Sequence, residues 1–322
     1  MRIAITGASG LIGSALVPHL RSAGHEVVRL VRRPSVGADE ITWDPRSGTV
    51  DLDALAGTDA VINLAGAGVG GHRWTADYKR EILNSRLDST HTIVQAVTSL
   101  DPKPSVLVSA SAIGFYGDTG DTAVDETSPA GQGFLPDVVR AWEAASAPAA
   151  TAGIRVVNPR TGLVVAEPEG VVGPLVSVLK LGAGFTTSGI PGAFGPLWPA
   201  VKLNLGGRLG SGRQYWSWIS MRDEIGALQF LVENDALSGP VNLTGPNPVT
   251  NAEIADTLKR EIGRAWLPPV PEFALKALLG QFSSEVLGSA RVLPRVLEQA
   301  GFTFQDATID SAVRAALAVS SS

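Results

Sequence analysis

The stretch RIAITGASGLIGSALVPHL, residues 2–20, decides the fold of this 322-residue chain. After Arg2 come apolar and β-branched residues, then three glycines at positions 7, 10 and 13, and apolar residues that recur at helical spacing. This order predicts a β-strand, a tight glycine turn and an α-helix. Glycines suit such a turn because they permit sharp backbone bends, close approach to a bound group and close packing of helix on strand.

The glycine turn is predicted to hold the pyrophosphate of a dinucleotide. The helix begins directly after the turn, so its free N–H groups and its dipole favour a negative charge there. The turn contains no Gly-Lys-Ser/Thr sequence, so a P-loop for ATP is unsupported. A purely structural turn is the alternative, and the position between the first strand and the first helix favours the dinucleotide.

The first half of the chain alternates short apolar runs with longer helical patterns. Strands are predicted at residues 2–6, 26–31, 59–65, 105–110 and 154–158. Helices are predicted at residues 11–21, 75–97 and 134–150, with Thr75 as the cap of the second. Repeated strand–helix alternation predicts an α/β fold, a Rossmann-type doubly wound parallel sheet with helices on both faces.

The second half of the chain is richer in turns. Residues 182–214 contain too many glycines and prolines for a long regular element and too many apolar residues for a disordered linker, so we interpret them as a folded lid or substrate loop. Residues 273–302 are amphipathic and are predicted to be helical, with a break at Pro294. Regular elements are also predicted at residues 223–233, 241–244 and 251–262.

These patterns predict two units. Residues 1–163 are expected to form the dinucleotide-binding Rossmann domain, completed by about residues 214–245. Residues 164–322 are expected to supply the substrate loop and a smaller C-terminal α/β substrate region, largely helical.

Composition limits the classes of protein that fit. The net charge of -5 and the pI of about 5.4 disfavour nucleic-acid binding, so a small-molecule substrate is expected. The chain has no cysteine, and its four histidines are scattered, so neither disulfides nor a metal site are predicted. No apolar stretch reaches membrane-spanning length and no leader is visible, so we expect a soluble cytoplasmic protein, monomer or homodimer, without membrane partners.

The end of the second predicted strand indicates which dinucleotide is bound. EVVRLVRRP, residues 26–34, ends in Arg32 and Arg33 and contains no carboxylate there to bond the adenosine ribose. A guanidinium pairs well with a 2′-phosphate, so NADP(H) is favoured over NAD(H). Two solvated arginines on a loop are the alternative.

Several motifs resemble those of a known family. TGASGLIG at residues 6–13, NLAG at 63–66 and VSASAIGFYGD at 108–118 look like the extended short-chain dehydrogenase/reductases, which include nucleotide-sugar epimerases and dehydratases. The resemblance is closer to an atypical branch, the epimerase family of SDR39U type, and runs nearly the whole length. It is carried by RWTADYKREILNSR (73–86), WEAA (142–145), GSGRQYWSWI (210–219), NLTGPNPVTNAE (242–253) and RVLPRVLEQAGF (291–302).

The resemblance implies a catalytic tyrosine followed four residues later by a lysine, and this chain lacks that pair. None of its three tyrosines, Tyr78, Tyr116 and Tyr215, has a lysine at that spacing. Aligned through Glu143, the two positions carry Leu135 and Val139, whose side chains transfer no proton. The usual mechanism is therefore unsupported.

Two other residues are the remaining catalytic candidates. Ser111 matches the family's active-site serine and is predicted to orient a carbonyl or hydroxyl group. Tyr116 is predicted to donate a proton if a cation such as Lys79 or Arg86 lies near it. The alternative is structural: a serine bonded to its own backbone and a tyrosine used for packing.

The predicted cofactor contacts come from the glycine turn, the two arginines, the NLAG loop and a few residues that follow strands or lie on the second long helix. For Glu81 and Arg86 a solvated charged face is the alternative. The full set is Gly7, Ser9, Gly10, Leu11, Ile12, Gly13, Arg32, Arg33, Leu64, Ala65, Gly66, Glu81, Arg86, Ser109 and Arg160.

Two functions follow from these features. The first is an NADP(H)-dependent oxidoreductase or epimerase-like enzyme that acts on a small polar or aromatic substrate beneath the 182–214 loop. The second is a catalytically weak or inactive NADP(H)-binding sensor or regulatory protein. The missing pair favours the second, whereas a loop region with Trp198, Arg208, Arg213 and Trp216 favours the first. We favour the enzyme.

Overall fold

The computed structural model describes residues 1–70, 72–166, 208–262 and 269–319. Residues 182–207 of the expected substrate loop, with Trp198, lie outside the described residues. The strands are β1 (Arg2–Thr6), β2 (Glu26–Val31), β3 (Glu40–Asp44), β4 (Thr49–Val50), β5 (Ala60–Asn63), β6 (Val106–Ser109), β7 (Ser111–Ala112), β8 (Ala123–Val124), β9 (Arg155–Thr161), β10 (Leu163–Val165), β11 (Tyr215–Trp216), β12 (Trp218–Ser220), β13 (Gly239–Leu243), β14 (Val249–Thr250) and β15 (Arg291–Val292).

Helices alternate with these strands. They are α1 (Leu11–Ser22), α2 (Leu52–Leu55), α3 (Ala76–Ser99), α4 (Phe134–Thr151), α5 (Met221–Glu233), α6 (Asn251–Ile262), α7 (Glu272–Leu279), α8 (Ser283–Leu287), α9 (Arg295–Gln299) and α10 (Ile309–Val319). Short 3-10 turns span Ile113–Tyr116 and Gly280–Phe282. Thr75 caps α3 as predicted, because its side chain accepts a hydrogen bond from the backbone of Tyr78.

A nine-stranded sheet forms the centre of the described structure, and its strand order is β13-β9-β6-β5-β1-β2-β3-β4, with β7 paired beside β9. All neighbours from β13 to β3 are parallel, and β4 pairs antiparallel with β3. The strand order reverses direction between β1 and β5, which is where doubly wound sheets bind their ligands. The predicted α/β Rossmann-type fold is confirmed.

Both faces of the sheet are buried. In β1, Ile3 and Ile5 face one cluster together with α1 and α5, whereas Ala4 faces a second cluster together with α3 and the end of α4. The same alternation holds along β5 and β6. Because side chains of a strand alternate between faces, these short, continuously apolar runs fill both cores at once.

The C-terminal part is more divided than predicted. Instead of a helix with one break, residues 273–302 form α7, α8, β15 and α9. Gly280 adopts a φ of +57° at the end of α7, a conformation that other residues rarely adopt, and Pro294 precedes α9. The strands β3 and β4 and the helix α10 are further elements that the pattern analysis missed.

The strand β15 ties the C-terminal part to the rest of the chain. It pairs with β8, and the backbone N–H of Val292 donates to the Ser217 hydroxyl at 2.8 Å. A third core packs α7, the 3-10 turn after it, α6 and α10 against β10–β12, around the buried Trp216 and Trp218. None of the helices in the described ranges is both long and apolar enough to cross a membrane.

The helix α5 carries a carboxyl group into the interior. Glu224 is fully buried, and its Oε1 accepts a hydrogen bond from the Thr161 hydroxyl at 2.8 Å. Its Oε2 has no partner within the described part of the chain. Burial raises the pKa of Glu224 from 4.5 to about 8, so the folded protein holds this group protonated at neutral pH.

We predict that Glu224→Gln changes how stability depends on pH. The folded pKa lies above the unfolded one, so Glu224 costs nothing below about pH 4.5 and destabilises the fold increasingly as pH rises towards 8. An amide removes that cost while still accepting from Thr161. Between pH 5 and pH 7.5 the free energy of unfolding of the variant should therefore rise relative to the native protein by ~3 kcal/mol.

Urea unfolding at the two pH values measures this difference. The exposed Asp235→Asn variant serves as control and should show no such change between the two pH values. Parallel stability curves for Glu224→Gln and the native protein would show that Glu224 is ionised at little cost.

Candidate functional site

The glycine turn packs directly against the loop that follows β5. Gly7 has a φ of +67°, and a Cβ there would lie 2.9 Å from the carbonyl carbon of Leu64. A Cβ on Gly13 would overlap the carbonyl oxygen of Gly7. Both positions therefore require glycine for backbone packing alone, as expected for the close contact of helix and strand.

Gly10 is different, because it has open space beside it. A Cβ on Gly10 would meet only the Gly7 carbonyl oxygen, at 3.2 Å. It forms the N-cap of α1, where no side chain caps the helix and no acidic residue lies in the first turn. The first-turn N–H groups, including those of Leu11 and Ile12, thus face a space that suits an anion, and the exposed Ser9 borders it.

The two arginines after β2 have different environments. Arg33 forms a bidentate ion pair with Glu40, at 2.6 and 2.7 Å, and that hydrogen bonding lowers the pKa of Glu40 to about 2. Arg32 is exposed, and the described residues offer it no hydrogen-bond or ion-pair partner. Of the two arginines predicted to contact a 2′-phosphate, Arg32 is therefore unpaired within the described residues, whereas Arg33 is already paired with Glu40.

The NLAG loop is held by Thr6 at the end of β1. The Thr6 hydroxyl donates to the Asn63 side chain at 2.6 Å and accepts from the N–H groups of Leu64 and Ala65. Gly66 follows at an exposed position. The loop thus ends beside the glycine turn, where the strand order reverses.

Ser109 lies at the end of β6, beside Asn63 in the sheet. It is fully buried, and its hydroxyl has no partner among the residues that the structure describes. Such an unpaired buried hydroxyl is uncommon.

Arg86 is a buried cation that extends from α3 under the NLAG loop. Its guanidinium donates to the carbonyl oxygens of Ala67 and Ile82, both at 2.9 Å, and lies 4.9 Å from the ring of Trp142. No carboxylate pairs with it in the described ranges, and burial lowers its pKa to about 10. A buried cation without a counter-ion favours a negatively polarised ligand nearby.

Glu81, on the same helix, faces the other way. Its carboxylate is exposed and forms an ion pair with Arg46 at 3.3 Å. This environment matches the alternative interpretation of Glu81, a solvated charged face, and the cofactor contact at Glu81 stays a prediction.

Four residues that the sequence singled out form one buried polar network. The Ser111 hydroxyl donates to Glu143 at 2.6 Å, and Arg160 holds Glu143 through two hydrogen bonds, at 2.8 and 2.9 Å. Arg160 also donates to the Tyr116 hydroxyl at 3.0 Å. The Tyr116 hydroxyl in turn donates to the side chain of Asn242 at 2.8 Å.

This network contains three of the predicted site residues. Ser111, Tyr116 and Arg160 are each only 3% exposed, and their polar groups bond to one another or to partners within the protein. Burial is the main cause that raises the pKa of Tyr116. In this structure the Tyr116 hydroxyl bonds to Arg160 and Asn242, the Ser111 hydroxyl donates to Glu143, and Arg160 bonds to Glu143 and Tyr116. These internal bonds favour the structural alternative for the three residues, whose roles at the site stay predictions.

A cavity of about 820 Å³ lies next to this network, between the Rossmann sheet and the C-terminal part. Leu135 and Val139, which occupy the positions of the absent tyrosine and lysine, form part of its wall, and so does Arg86. Aromatic rings make up much of the rest, from Trp74, Phe134, Trp142, Tyr215, Trp216 and Phe282. A cavity with such walls suits a ligand with an apolar or aromatic body.

Charged groups at this cavity were missed by the sequence analysis, apart from Arg86 and Lys79. Glu285 from α8, Asp118 after the 3-10 turn Ile113–Tyr116, and Lys276 from α7 also line it. Burial, assisted by the negative charge of Asp118, raises the pKa of Glu285 to about 7. No local pattern marks Glu285, because only the packing of the C-terminal part brings it to the cavity.

Comparisons with known proteins agree with this architecture. Residues 3–168 match the family described as "NAD dependent epimerase/dehydratase family", and residues 270–316 match a domain of unknown function. The second match covers α7 to most of α10, including Glu285.

Individual relatives extend along almost the entire chain. The chain is similar to an epimerase family protein of Mycobacterium leprae, at 42% identity over 97% of this chain and 94% of that protein. It is also similar to the chloroplastic SDR39U1 homolog of Arabidopsis thaliana, at 33% identity over 98% of this chain and 86% of that protein.

A solved structure gives the same result. The crystal structure of the human epimerase family protein SDR39U1 with NADPH superposes with a TM-score of 0.80 at 29% identity, covering 98% of both chains. The resemblance drawn from the motifs is thus confirmed. The chain belongs to the NAD dependent epimerase/dehydratase family, as an atypical short-chain dehydrogenase/reductase of the epimerase branch.

Proposed function

We propose that this protein binds NADPH and uses it as an oxidoreductase or epimerase-like enzyme on a small substrate that occupies the cavity. The observation that carries the proposal is the uncapped N-terminus of α1, open beside Gly10 and located where the strand order reverses. The unpaired guanidinium of Arg32 supports the phosphorylated form of the cofactor. The human relative was solved with NADPH, which agrees with this choice.

Each part of the site has a distinct role in this proposal. The N–H groups of the glycine turn hold the pyrophosphate, and Arg32 pairs with the 2′-phosphate. When bound, NADPH supplies a hydride to the reacting carbon. Arg86 orients a polar group of the ligand, while the apolar wall at Leu135 and Val139 excludes water from the reacting groups.

A sensor or regulatory protein that binds NADPH without turnover is the second candidate. One observation favours it: the positions of the proton-transferring pair carry Leu135 and Val139, and Tyr116 is bonded inside the protein. Turnover of a carbonyl panel by the native protein with NADPH decides between the two. Saturable NADPH binding with no oxidation of NADPH by any member supports the sensor.

We predict that Gly10→Val abolishes NADPH binding and leaves the fold intact. The valine side chain would fill the space over the first-turn N–H groups, while the φ of -78° suits any residue and the 3.2 Å contact of its Cβ with the Gly7 carbonyl oxygen requires only a small shift. NADPH fluorescence titration measures binding and thermal unfolding measures folding. The control Ser22→Ala, at the far end of α1, should bind normally; normal binding by Gly10→Val would make the turn purely structural.

We predict that replacing Arg32 and Arg33 by alanine weakens NADPH binding by roughly tenfold or more and leaves NADH binding nearly unchanged, because only NADPH carries the 2′-phosphate. Arg32→Ala alone should account for most of the loss, since Arg33 is paired with Glu40. Arg140→Ala, which removes an exposed arginine on α4, is the matched control. Equal affinity of the native protein for NADPH and NADH would contradict the preference.

We predict that Tyr116→Phe lowers stability and spares chemistry. Loss of the phenol oxygen removes one hydrogen-bond partner from the buried Arg160 guanidinium and one from the Asn242 side-chain oxygen, which should cost about 1–3 kcal/mol in the free energy of unfolding. Turnover per folded molecule should stay within about twofold of the native value, because the hydroxyl does not face the cavity. A fall in turnover of ~100-fold with unchanged stability would restore Tyr116 as the acid.

A further inference from the structure

The cavity contains an ionisable group on the wall supplied by the C-terminal part. Glu285 lies on the short helix α8, which follows the 3-10 turn Gly280–Phe282, and is partly buried. Its carboxyl group lines the same cavity as Leu135 and Val139. The space in front of the two apolar positions is thus continuous with a group that is able to exchange a proton.

We propose that Glu285 is the residue that exchanges a proton with the substrate, and that this substrate is an aromatic carbonyl compound or the corresponding alcohol. This inference rests on the proposed function, because it needs bound NADPH as the reductant. It places the acid/base group in the C-terminal part rather than on α4, where the family pattern has it.

The charged groups around Glu285 come from several elements. Asp118 faces it from the segment after the 3-10 turn Ile113–Tyr116, and Lys79 faces it from α3. The cavity-lining Lys276 on α7 is paired with Glu272 at 2.5 Å, and the guanidinium of Arg73 lies beside Gly280, 3.1 Å from where a Cβ on that glycine would be. Among these groups Lys79 favours the carboxylate of Glu285 and Asp118 favours its neutral form.

These opposing effects leave the pKa of Glu285 close to neutral pH. Burial and Asp118 raise its pKa, the Ser284 hydroxyl and Lys79 lower it, and the result is a pKa of about 7. Both protonation states are therefore populated at neutral pH, which is the condition for effective acid and base catalysis. Tyr116, whose pKa is raised by burial, does not meet this condition.

The aromatic walls indicate the body of the substrate. Lys79 lies 4.8 Å from the ring centre of Phe134 and 5.5 Å from that of Trp74, so the cation is held against the rings. A flat aromatic body stacks on such walls, whereas the two phosphates of a sugar nucleotide need several free cations. In the described lining Lys276 is already paired, which leaves Lys79 and Arg86 as the cations that face the cavity.

The proposed reduction transfers one hydride and one proton to the carbonyl group. The carbonyl carbon gains the hydride with its two electrons from NADPH, and the π bond to oxygen breaks. The oxygen then takes the proton of the Glu285 carboxyl, which leaves an alcohol, NADP⁺ and a Glu285 carboxylate. Solvent returns a proton to Glu285 before the next cycle. The oxidation of an alcohol reverses each of these transfers.

The test compares the native protein with Glu285→Gln, which keeps the shape and removes the titration. Naphthaldehyde is the aromatic probe and cyclohexanone the non-aromatic comparison, with NADPH oxidation followed over a range of pH. We expect Glu285→Gln to lower kcat for naphthaldehyde by ~100-fold or more, with KM within about twofold. The native pH dependence near 7 should be absent in the variant, and Glu285→Asp should recover part of kcat.

Two measurements that need no turnover accompany the kinetics. Infrared difference spectra of the protein without cofactor should show a carboxyl that ionises near pH 7 in the native protein and is lost in Glu285→Gln, while the signal of Glu224 near pH 8 stays in both. Calorimetry should show that naphthaldehyde binds both proteins and cyclohexanone binds weakly. Glu298→Gln, on α9, is the control for a lost carboxylate and should match the native protein throughout.

Each outcome decides a separate point. Failure of NADPH to bind overturns the proposed function, whereas the infrared titration and naphthaldehyde binding still report on Glu285 and the cavity. If NADPH and naphthaldehyde bind and the native protein oxidises no NADPH, the role of Glu285 is overturned and the cofactor proposal stands. An unchanged kcat and pH profile in Glu285→Gln, or no carboxyl titrating near pH 7, also overturns it.

Discussion

The backbone contact between two loops at the carboxyl edge of the sheet determines how the rest of the site is arranged. Gly7 lies against the carbonyl of Leu64, and the Thr6 hydroxyl holds the N–H groups of that same loop. This contact fixes the start of α1 beside the point where the strand order reverses. Because no side chain caps α1, the N–H groups of its first turn remain available to a ligand.

The polar residues that the family motifs bring together are used here mainly for architecture. Glu143 joins Ser111 and Arg160, and Tyr116 connects Arg160 with Asn242 on the edge strand β13. Buried polar groups that satisfy one another in this way fix one arrangement, since breaking any member leaves the others unpaired. The cost is chemical, because none of these hydroxyl groups is available to a substrate. The proposed proton transfer therefore uses a group on a different wall of the cavity, Glu285.

The sequence predicted the fold well and the site only in part. The glycine spacing and the alternating apolar runs depend on local geometry, so the parallel sheet, the turn and the cap at Thr75 were all predictable. The ion pair of Arg33 with Glu40 and the internal role of Arg160 depend on which side chains meet in space. The same holds for Glu285, which reaches the cavity only when the C-terminal part packs against α3 and α4. The local sequence around Tyr116, a tyrosine before a glycine, is the same whether the side chain faces a substrate or the core, so this pattern does not distinguish the two.

The pairing of β15 with β8 has a consequence for cooperativity. Two hydrogen bonds join the C-terminal part to the sheet domain. The backbone N–H of Val292 donates to the Ser217 hydroxyl, and the side-chain amide of Asn242 donates to the carbonyl oxygen of Leu293. Sub-global opening of this part would break these bonds and expose Trp216 and Trp218 to water, so its free energy should lie close to that of global unfolding. The backbone amides of β15 should therefore be among the slowly exchanging ones, and the two ends of the chain should lose structure as one unit.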